Sequence, residues 1–455
     1  MVRGVKKMRK LAVAALAVLL TAGAVVVEAE DKKPNLKKLE GELRKGLAAG
    51  DAALVVKTVD EIATADDEDA MKLLLNVALK ADDIEKLKPE AANQVYDACR
   101  AALAKITDKK AEEFLYKNVQ SNRDWRVRVV LAEVCGQKVG VAAGSTLPPA
   151  AEDALIALVV DDKEAAVRIT AVKALVANKS VKAMDTYISV LAKVEKKRED
   201  PWLDLLRALR AMTGQDLVTA DEWKGWWDVN KATYDPKKQG GGAASGDVGA
   251  TVARNAPKLF DTEVLSKRCV FILDVSGSMA IKDPANEGGK PAGKPVEPKD
   301  PGYNEIPQER MRMWRLRDAM VKVIEALPED TRFTIVTFSS QIRKWNEELV
   351  PANPKNKADA IEFSRGMQPL GFTWTDTAIE QAFEVKDANS FYLFTDGVPQ
   401  RAKGEYIDKN EILAQVRQWN RVRKVKIFTI GIGEADSTFL ARLAQENDGK
   451  ASTVK

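Results

Sequence analysis

The sequence predicts a two-part chain: an all-α array of paired helices, then an α/β domain on a mostly parallel sheet. Three observations predict it. Residues 35–235 carry apolar residues at helical spacing and nothing strand-like. A Gly-rich stretch, 236–255, follows and holds little that packs. From Lys267 onward, unbroken apolar β-type runs alternate with amphipathic helical segments. The 455 residues give room for two or three domains. At 45% hydrophobic and 30% charged, the chain is not wholly disordered, fibrous or a multi-span membrane protein.

The N-terminus reads as an export signal over residues 1–29. Arg3, Lys6, Lys7, Arg9 and Lys10 precede the apolar run LAVAALAVLL, and Ala22-Gly23-Ala24 and Val27-Glu28-Ala29 both fit a cleavage site. The segment is either removed or kept as an anchor, because the largely apolar stretch to Val27 is near the lower limit for spanning. No Cys follows it, which argues against a lipoprotein. The chain is therefore expected to be exported: periplasmic, at the cell surface or secreted. Membrane contact is expected only through a retained anchor. Without residues 1–29, five of 71 basic and one of 67 acidic residues are lost, leaving 66 of each. That balance gives no electrostatic case for nucleic acid. The absence of His excludes a His general base, a Ser-His-Asp triad and imidazole zinc sites. Cys99 and Cys135 leave one disulfide open, and Cys269, in an apolar run, reads as a buried thiol.

Within 35–235 the clearest pair is EAAVRITAVKALVA and AMDTYISVLAKV, joined by the turn NKSVK. WRVRVVLAEVC matches the first helix in register, with Val127-Arg128 lying 40 residues before Val167-Arg168; Leu206-Arg207 follows 39 residues after them. A period near 40 with two helices per unit marks a helical solenoid. This segment resembles HEAT repeats. Its close, Met212-Thr-Gly-Gln-Asp-Leu followed by Glu222-Trp-Lys-Gly-Trp-Trp, resembles the end of HEAT-type domains in secreted planctomycete proteins. Trp202, Trp223, Trp226 and Trp227 read as a hydrophobic cap on the array rather than a ligand platform.

The α/β part opens with Arg268-CVFILDV. Helix 309–327, strand 332–338, helices 357–366 and 376–385, strand 390–395, helix 408–423, strand 425–432 and helix 436–447 follow. Residues 282–308, with six Pro and four Gly, read as a disordered insertion, either a lid or ligand surface beside the strand end or mere decoration. Within it, Gly288 to Lys294 imitates a phosphate loop, but Pro295 replaces the Ser/Thr and no strand precedes it.

The first strand ends in Asp274-Val275-Ser276-Gly277-Ser278, so a carboxylate and two hydroxyls alternate by two. Thr395-Asp396-Gly397 ends a later strand, and Gly371-Phe372-Thr373 precedes a helix. These are hard oxygen donors suited to Mg²⁺ or Mn²⁺. In this order they resemble a von Willebrand factor type A domain with its metal-ion-dependent adhesion site, covering 267–455 of an expected domain 256–455. The resemblance implies a Rossmann-like fold, with Ser276, Ser278 and Thr373 touching the metal and Asp274 and Asp396 acting largely through water. Thr375 competes with Thr373 for the threonine position. It further implies an open metal position for a partner's Asp or Glu. Phe372, Trp374 and Thr375 are the candidate ligand contacts at the rim.

The expected function is metal-dependent protein binding or adhesion by an exported protein, without catalysis, since no nucleophile–base pair is visible. The alternative is a scaffold subunit of an envelope complex, bound mainly through the helical repeats, with a regulatory metal site. A hydrolase would need a base such as Asp376 or Glu380, and both read as helix N-terminal acids.

Overall fold

Side-chain caps set the phase of the helical region. Asp51, Asp67, Asp108 and Asp124 each accept a backbone N–H in the first turn of the helix that follows. The helices are α1 (Leu36–Ala49), α2 (Ala52–Ala63), α3 (Glu68–Lys80), α4 (Pro89–Lys105), α5 (Lys109–Ser121), α6 (Trp125–Gln137), α7 (Pro149–Asp161), α8 (Ala165–Ala177), α9 (Ala183–Val194), α10 (Trp202–Thr213), α11 (Ala220–Asn230) and the short α12 (Pro236–Gln239). The computed structural model describes residues 33–81, 86–140, 146–239, 256–284 and 294–454. The expected export signal therefore lies outside the described residues. So does 240–255 of the expected linker, while 236–239 form α12 instead.

The repeat register holds. Val127, Leu131 and Cys135 of α6, and Val167, Ala171 and Leu175 of α8, are all buried. Helices α4, α6, α8 and α10 pack in succession. Arginines at the repeat position staple each unit to the next. Arg128 forks onto Asp162 through Nε at 2.7 Å and Nη2 at 2.9 Å, and Arg168 donates to the Asp200 carbonyl at 3.2 Å. At the end of the array Trp202, Trp223 and Trp227 are buried and Trp226 stacks on Trp227, which makes them a cap. Cys99 and Cys135 are free, buried thiols, both pushed up to about 12 by burial. Cys269 is likewise buried and free.

The second part is a layered α/β domain. After the small hairpin β1 (Lys258–Leu259) and β2 (Thr262–Glu263) come β3 (Arg268–Asp274), α13 (Arg312–Ala326), β4 (Arg332–Phe338), β5 (Ile342–Lys344), β6 (Val350–Pro351), α14 (Pro354–Arg365) and α15 (Thr375–Phe383). They are followed by β7 (Ser390–Thr395), β8 (Gln400–Ala402), β9 (Glu405–Tyr406), α16 (Lys409–Arg423), β10 (Lys426–Ile432), α17 (Ser437–Glu446) and β11 (Ala451–Val454). The main sheet has the order β11-β10-β7-β3-β4-β5, with β6 also on β4. The pairs β3–β4, β3–β7, β7–β10 and β10–β11 are parallel, and β5 and β6 pair antiparallel to β4. Separate apolar clusters cover its two faces, which is why the strands read as continuous apolar runs. The chain first builds from β3 toward β4, then resumes on the other side of β3 with β7. The strand order therefore reverses between β3 and β7, and the carboxyl ends at such a reversal are where sheets of this kind bind ligands.

The insertion differs from expectation. Of 282–308, residues 285–293 lie outside the described residues, but 294–308 are ordered. Lys282 is buried, its ammonium donating to the carbonyls of Tyr303 at 3.1 Å and Ile306 at 2.8 Å. The Tyr303 hydroxyl returns to the Ala280 carbonyl at 2.7 Å. Among the described residues here the elements are short, with 3₁₀ turns at Tyr303–Glu305 and Gln308–Arg310 and a bridge between Lys282 and Val296. Order comes instead from polar anchors, which composition does not reveal.

Residues Leu36–Lys455 form one compact unit, so the two parts touch. Helix α16 lies against α4 and α6. Buried Asn93 donates to the Ala414 carbonyl at 2.9 Å and accepts from Arg421 at 2.7 Å. Lys424 pairs with Glu133 at 2.7 Å, and Lys426 with Asp204 at 2.8 Å, the latter pair almost wholly buried. Lys173 pairs with Asp448.

Candidate metal centre

The donors arrive on three segments: the end of β3 with the turn after it, the loop before α15, and the end of β7. Strand β3 is buried from Cys269 to Asp274, and the turn after it carries Ser276 and Ser278. Asp274 accepts from the Ser276 N–H at 2.8 Å and from the Thr395 hydroxyl at 2.6 Å. The Ser276 and Ser278 hydroxyls lie 3.0 Å apart, and Ser278 donates to Asp396 Oδ1 at 2.8 Å. Thr373 is fixed by two backbone bonds with Gln400, at 3.0 and 2.9 Å. A methyl on Gly397 would stand 3.4 Å from Thr373 Oγ1 and 3.9 Å from Ser278 Oγ, so the two hydroxyls share one small space there. Asp274, Ser276, Ser278, Thr373 and Asp396 thus converge.

Loop contacts explain the glycines. Gly277 donates its N–H to the Gly371 carbonyl at 2.9 Å. Gly371, at φ +84°, has no room for a Cβ against Ser340. The rim residues separate into three cases. Phe372 is exposed, beside the more exposed Leu370. Trp374 is tied down, its Nε1 donating to the Arg401 carbonyl at 3.1 Å and its ring lying 5.2 Å from the Arg401 guanidinium. Thr375 is buried at 1% exposure because it opens α15 against the core, so it offers no surface to a ligand, contrary to expectation. Its hydroxyl has no hydrogen-bond partner. Asp376, the nominal base, is held by Arg401.

The electrostatics point to a cation. Burial first, and the neighbouring Asp396 second, push the Asp274 carboxyl up to about 7. Burial also raises Asp396, against the pull of Arg312. Arg312 is a residue that the motif does not contain. Fully buried, it donates to Asp396 Oδ2 at 2.9 Å and grips Asp283 through Nε, at 3.1 and 3.2 Å, and Nη2, at 2.9 Å. Burial works against its charge, but the two carboxylates outweigh it. A Cβ on Gly433, at φ +62°, would overlap the guanidinium. The sequence signal was available: Arg312 sits on the buried stripe Leu316, Met320 and Val323 of α13. Arg312 thus faces both Asp396 and Asp283, and Arg315 stands 3.9 Å from Asp283, while Asp274 has no cation beside it among the described residues. Two carboxylates with three hydroxyls and this charge excess fit a hard divalent ion. Among the described residues no group of three or more Cys, Asp or Glu suited to a metal exists, so this hydroxyl-rich set is the candidate.

Comparison with known proteins bears on the domain that carries the site. A family model described as von Willebrand factor type A domain matches residues 308–453. Human inter-alpha-trypsin inhibitor heavy chain H4 is 26% identical over 241 residues, covering 50% of this chain and 22% of that protein. The pig heavy chain H2 is 28% identical over 212 residues, covering 44% and 19%. The chain therefore spans about a fifth of these curated relatives. Among solved structures, a von Willebrand factor type A protein from Catenulispora acidiphila aligns with TM-score 0.31 and 20% identity, over 41% of this chain and 38% of that one. The PilB minor pilin from Streptococcus sanguinis aligns with TM-score 0.28 and 16% identity, over 41% and 56%.

Proposed function

We propose that this chain, whose C-terminal domain is a von Willebrand factor type A domain, is an exported protein-binding module whose partner engages a divalent metal site. The convergence of Asp274, Ser276, Ser278, Thr373 and Asp396 at the strand-order reversal carries the reading. A bound Mg²⁺ or Mn²⁺ would supply a Lewis-acidic position for an Asp or Glu carboxylate of a protein partner. The chain's residues do the rest. Ser276, Ser278 and Thr373 present neutral oxygens, which leave the charge of the ion less than fully compensated. Asp274 fixes the loop through the Ser276 N–H and the Thr395 hydroxyl, and Asp396 holds the Ser278 hydroxyl. Exposed Leu370 and Phe372 offer apolar area beside the site. No catalytic step is assigned. Residues 1–29 would direct export, and no described helix is long and apolar enough to cross a membrane.

The second reading, a scaffold bound through the repeats, is narrowed by the fold. Side chains from α4, α6, α8 and α10 already meet the sheet domain, which leaves a partner the opposite face, formed by α5, α7 and α9. Calorimetric titration of Mg²⁺ and Mn²⁺ into the full chain, with and without millimolar acetate as a stand-in carboxylate, tests the proposal. Saturable binding that Asp274→Ala abolishes is expected. No saturable heat from either ion in either buffer would overturn it.

A further inference from the structure

The other end of the sheet carries a feature that the metal site does not explain. A cleft of about 660 Å³ lies where the last helical repeats meet the amino ends of the strands. Strand β3 reaches both places, with Arg268 in the cleft and Asp274 at the metal centre, about 20 Å apart at ~3.3 Å per residue.

Eight basic and four acidic side chains line the cleft. Three of the basic ones are already paired: Lys267 with Asp330 at 2.5 Å, Lys197 with Glu199 at 3.8 Å, and Lys426 with Asp204 outside the lining. Setting these pairs aside leaves five basic groups facing two carboxylates. Arg268 and Arg332 are direct neighbours in register on β3 and β4. Like charges placed opposite each other across a parallel or antiparallel ladder destabilise it unless something negative lies between. Arg332 spends one donor on the Leu349 carbonyl at 2.7 Å. Arg268 has no carboxylate partner among the described residues. From the helical side, Arg168 donates to backbone carbonyls, with Asp200, Asp162 and Glu199 near enough to favour its charge, and Arg198 lies 5.1 Å over the Trp202 ring.

An independent observation lies at the back of the cleft. Tyr392 is fully buried and lines it, yet its hydroxyl makes no hydrogen bond with the protein. The backbone N–H groups of Leu265 and Ser266 stand near its oxygen, and neither can accept its proton. A buried hydroxyl left without an acceptor calls for a missing one.

We propose that this cleft binds a small, multiply charged oxyanion, held by the forks of Arg268 and Arg332 from the sheet and by Arg198 and Arg168 from the repeats, with Tyr392 donating to it. Guanidinium groups suit this ligand class because their planar donors match phosphoryl or carboxylate oxygens in pairs. The ligand would bridge the two parts of the chain and relieve the Arg268–Arg332 repulsion. It involves none of the metal-site residues.

The test uses the full chain in metal-free buffer, titrated calorimetrically with inorganic pyrophosphate, inorganic phosphate and citrate against potassium chloride of matched ionic strength. Saturable binding of pyrophosphate or citrate is expected, weakened about tenfold or more in Arg268→Gln and in Arg198→Gln, and partly restored in Arg268→Lys. Tyr392→Phe, which keeps the ring in place, should weaken binding several-fold while leaving the melting temperature of the free protein unchanged or higher. Tighter pyrophosphate would identify a phosphoryl ligand, and tighter citrate a polycarboxylate; both support the site. Absence of saturable binding by all three anions, or equal affinity in wild type and both arginine variants, would overturn it.

Discussion

The two ends of the central sheet handle buried charge in opposite ways. At the amino ends, Lys426 opens β10 and meets Asp204 of α10, and Lys267 meets Asp330. The buried cation there, Lys426, is answered by a carboxylate from the other part of the chain, whereas the cleft arginines that remain unanswered stand nearer to water. At the carboxyl ends, Asp274 is buried among hydroxyls with no cation of its own, and Arg312 is divided between Asp396 and Asp283. The first arrangement holds two domains together. The second keeps charge uncompensated where an ion can enter. Folding tolerates the second because the strands beneath it are buried.

The largest expected effect comes from breaking the compensated end. Lys426→Met strands the Asp204 carboxylate in a buried seam and should cost about 3–5 kcal/mol, read as a drop in the urea midpoint. The double variant Lys426→Met/Asp204→Leu should recover most of that loss. If Lys426→Met alone is neutral, the seam is wetter or looser than the structure shows.

The uncompensated end should respond with the opposite sign. Asp274→Asn is expected to abolish metal binding yet stabilise the metal-free chain. The sign follows from its carboxyl, raised to about 7 against an ordinary value near 3.9. Between those limits the folded chain binds the proton that the unfolded chain has lost. This group's contribution to stability therefore falls as pH rises from about 4 to 7 and is flat beyond. The difference in melting temperature between Asp274→Asn and wild type, without metal, should grow across that window. Saturating Mg²⁺ should remove the difference at pH 7.5. A constant difference across pH would mean that Asp274 is already neutralised by a group of the protein.

How far the sequence reached follows the same division. Elements with a strong apolar period were legible almost to the residue: α8, α9, β3, β4 and β7 lie where the pattern put them. The short edge strands β5, β6 and β11 were not, because IRK, VP and ASTV carry no apolar alternation. In the candidate site, Asp274, Ser276 and Ser278 follow one strand and Asp396 another, and the sequence joined them through strand-end motifs and their resemblance to a von Willebrand factor type A domain. Asp283, Arg312 and Gly433 come from three separate segments and meet only through tertiary packing. The insertion was misjudged for a related reason. Its order depends on Lys282 and Tyr303, single polar anchors set among Pro and Gly, and on Arg312 reaching Asp283 from the helix that follows.

A smaller effect should separate the clamp from the motif. Gly433→Ala places a methyl against the immobile Arg312 guanidinium at a positive φ, and should cost about 1–3 kcal/mol. Metal affinity should fall with it, because Asp396 loses its fixed partner. Unchanged affinity would show that Ser278 alone positions Asp396.

The smallest effect decides between two threonines two residues apart. Thr373 Oγ1 shares the space above Gly397 with Ser278 Oγ, whereas Thr375 Oγ1 is buried without a partner. Thr373→Val keeps the shape and removes one donor, and should weaken Mg²⁺ about tenfold, or ~1.4 kcal/mol. Thr375→Val removes a hydroxyl that bonds nothing, so it should leave affinity within about twofold and the fold as stable or slightly more so. Calorimetry on both variants reads the pair directly. The reverse order would move the metal toward the start of α15 and away from Asp396, and with it the contrast between a compensated and an uncompensated sheet end would lose its second member.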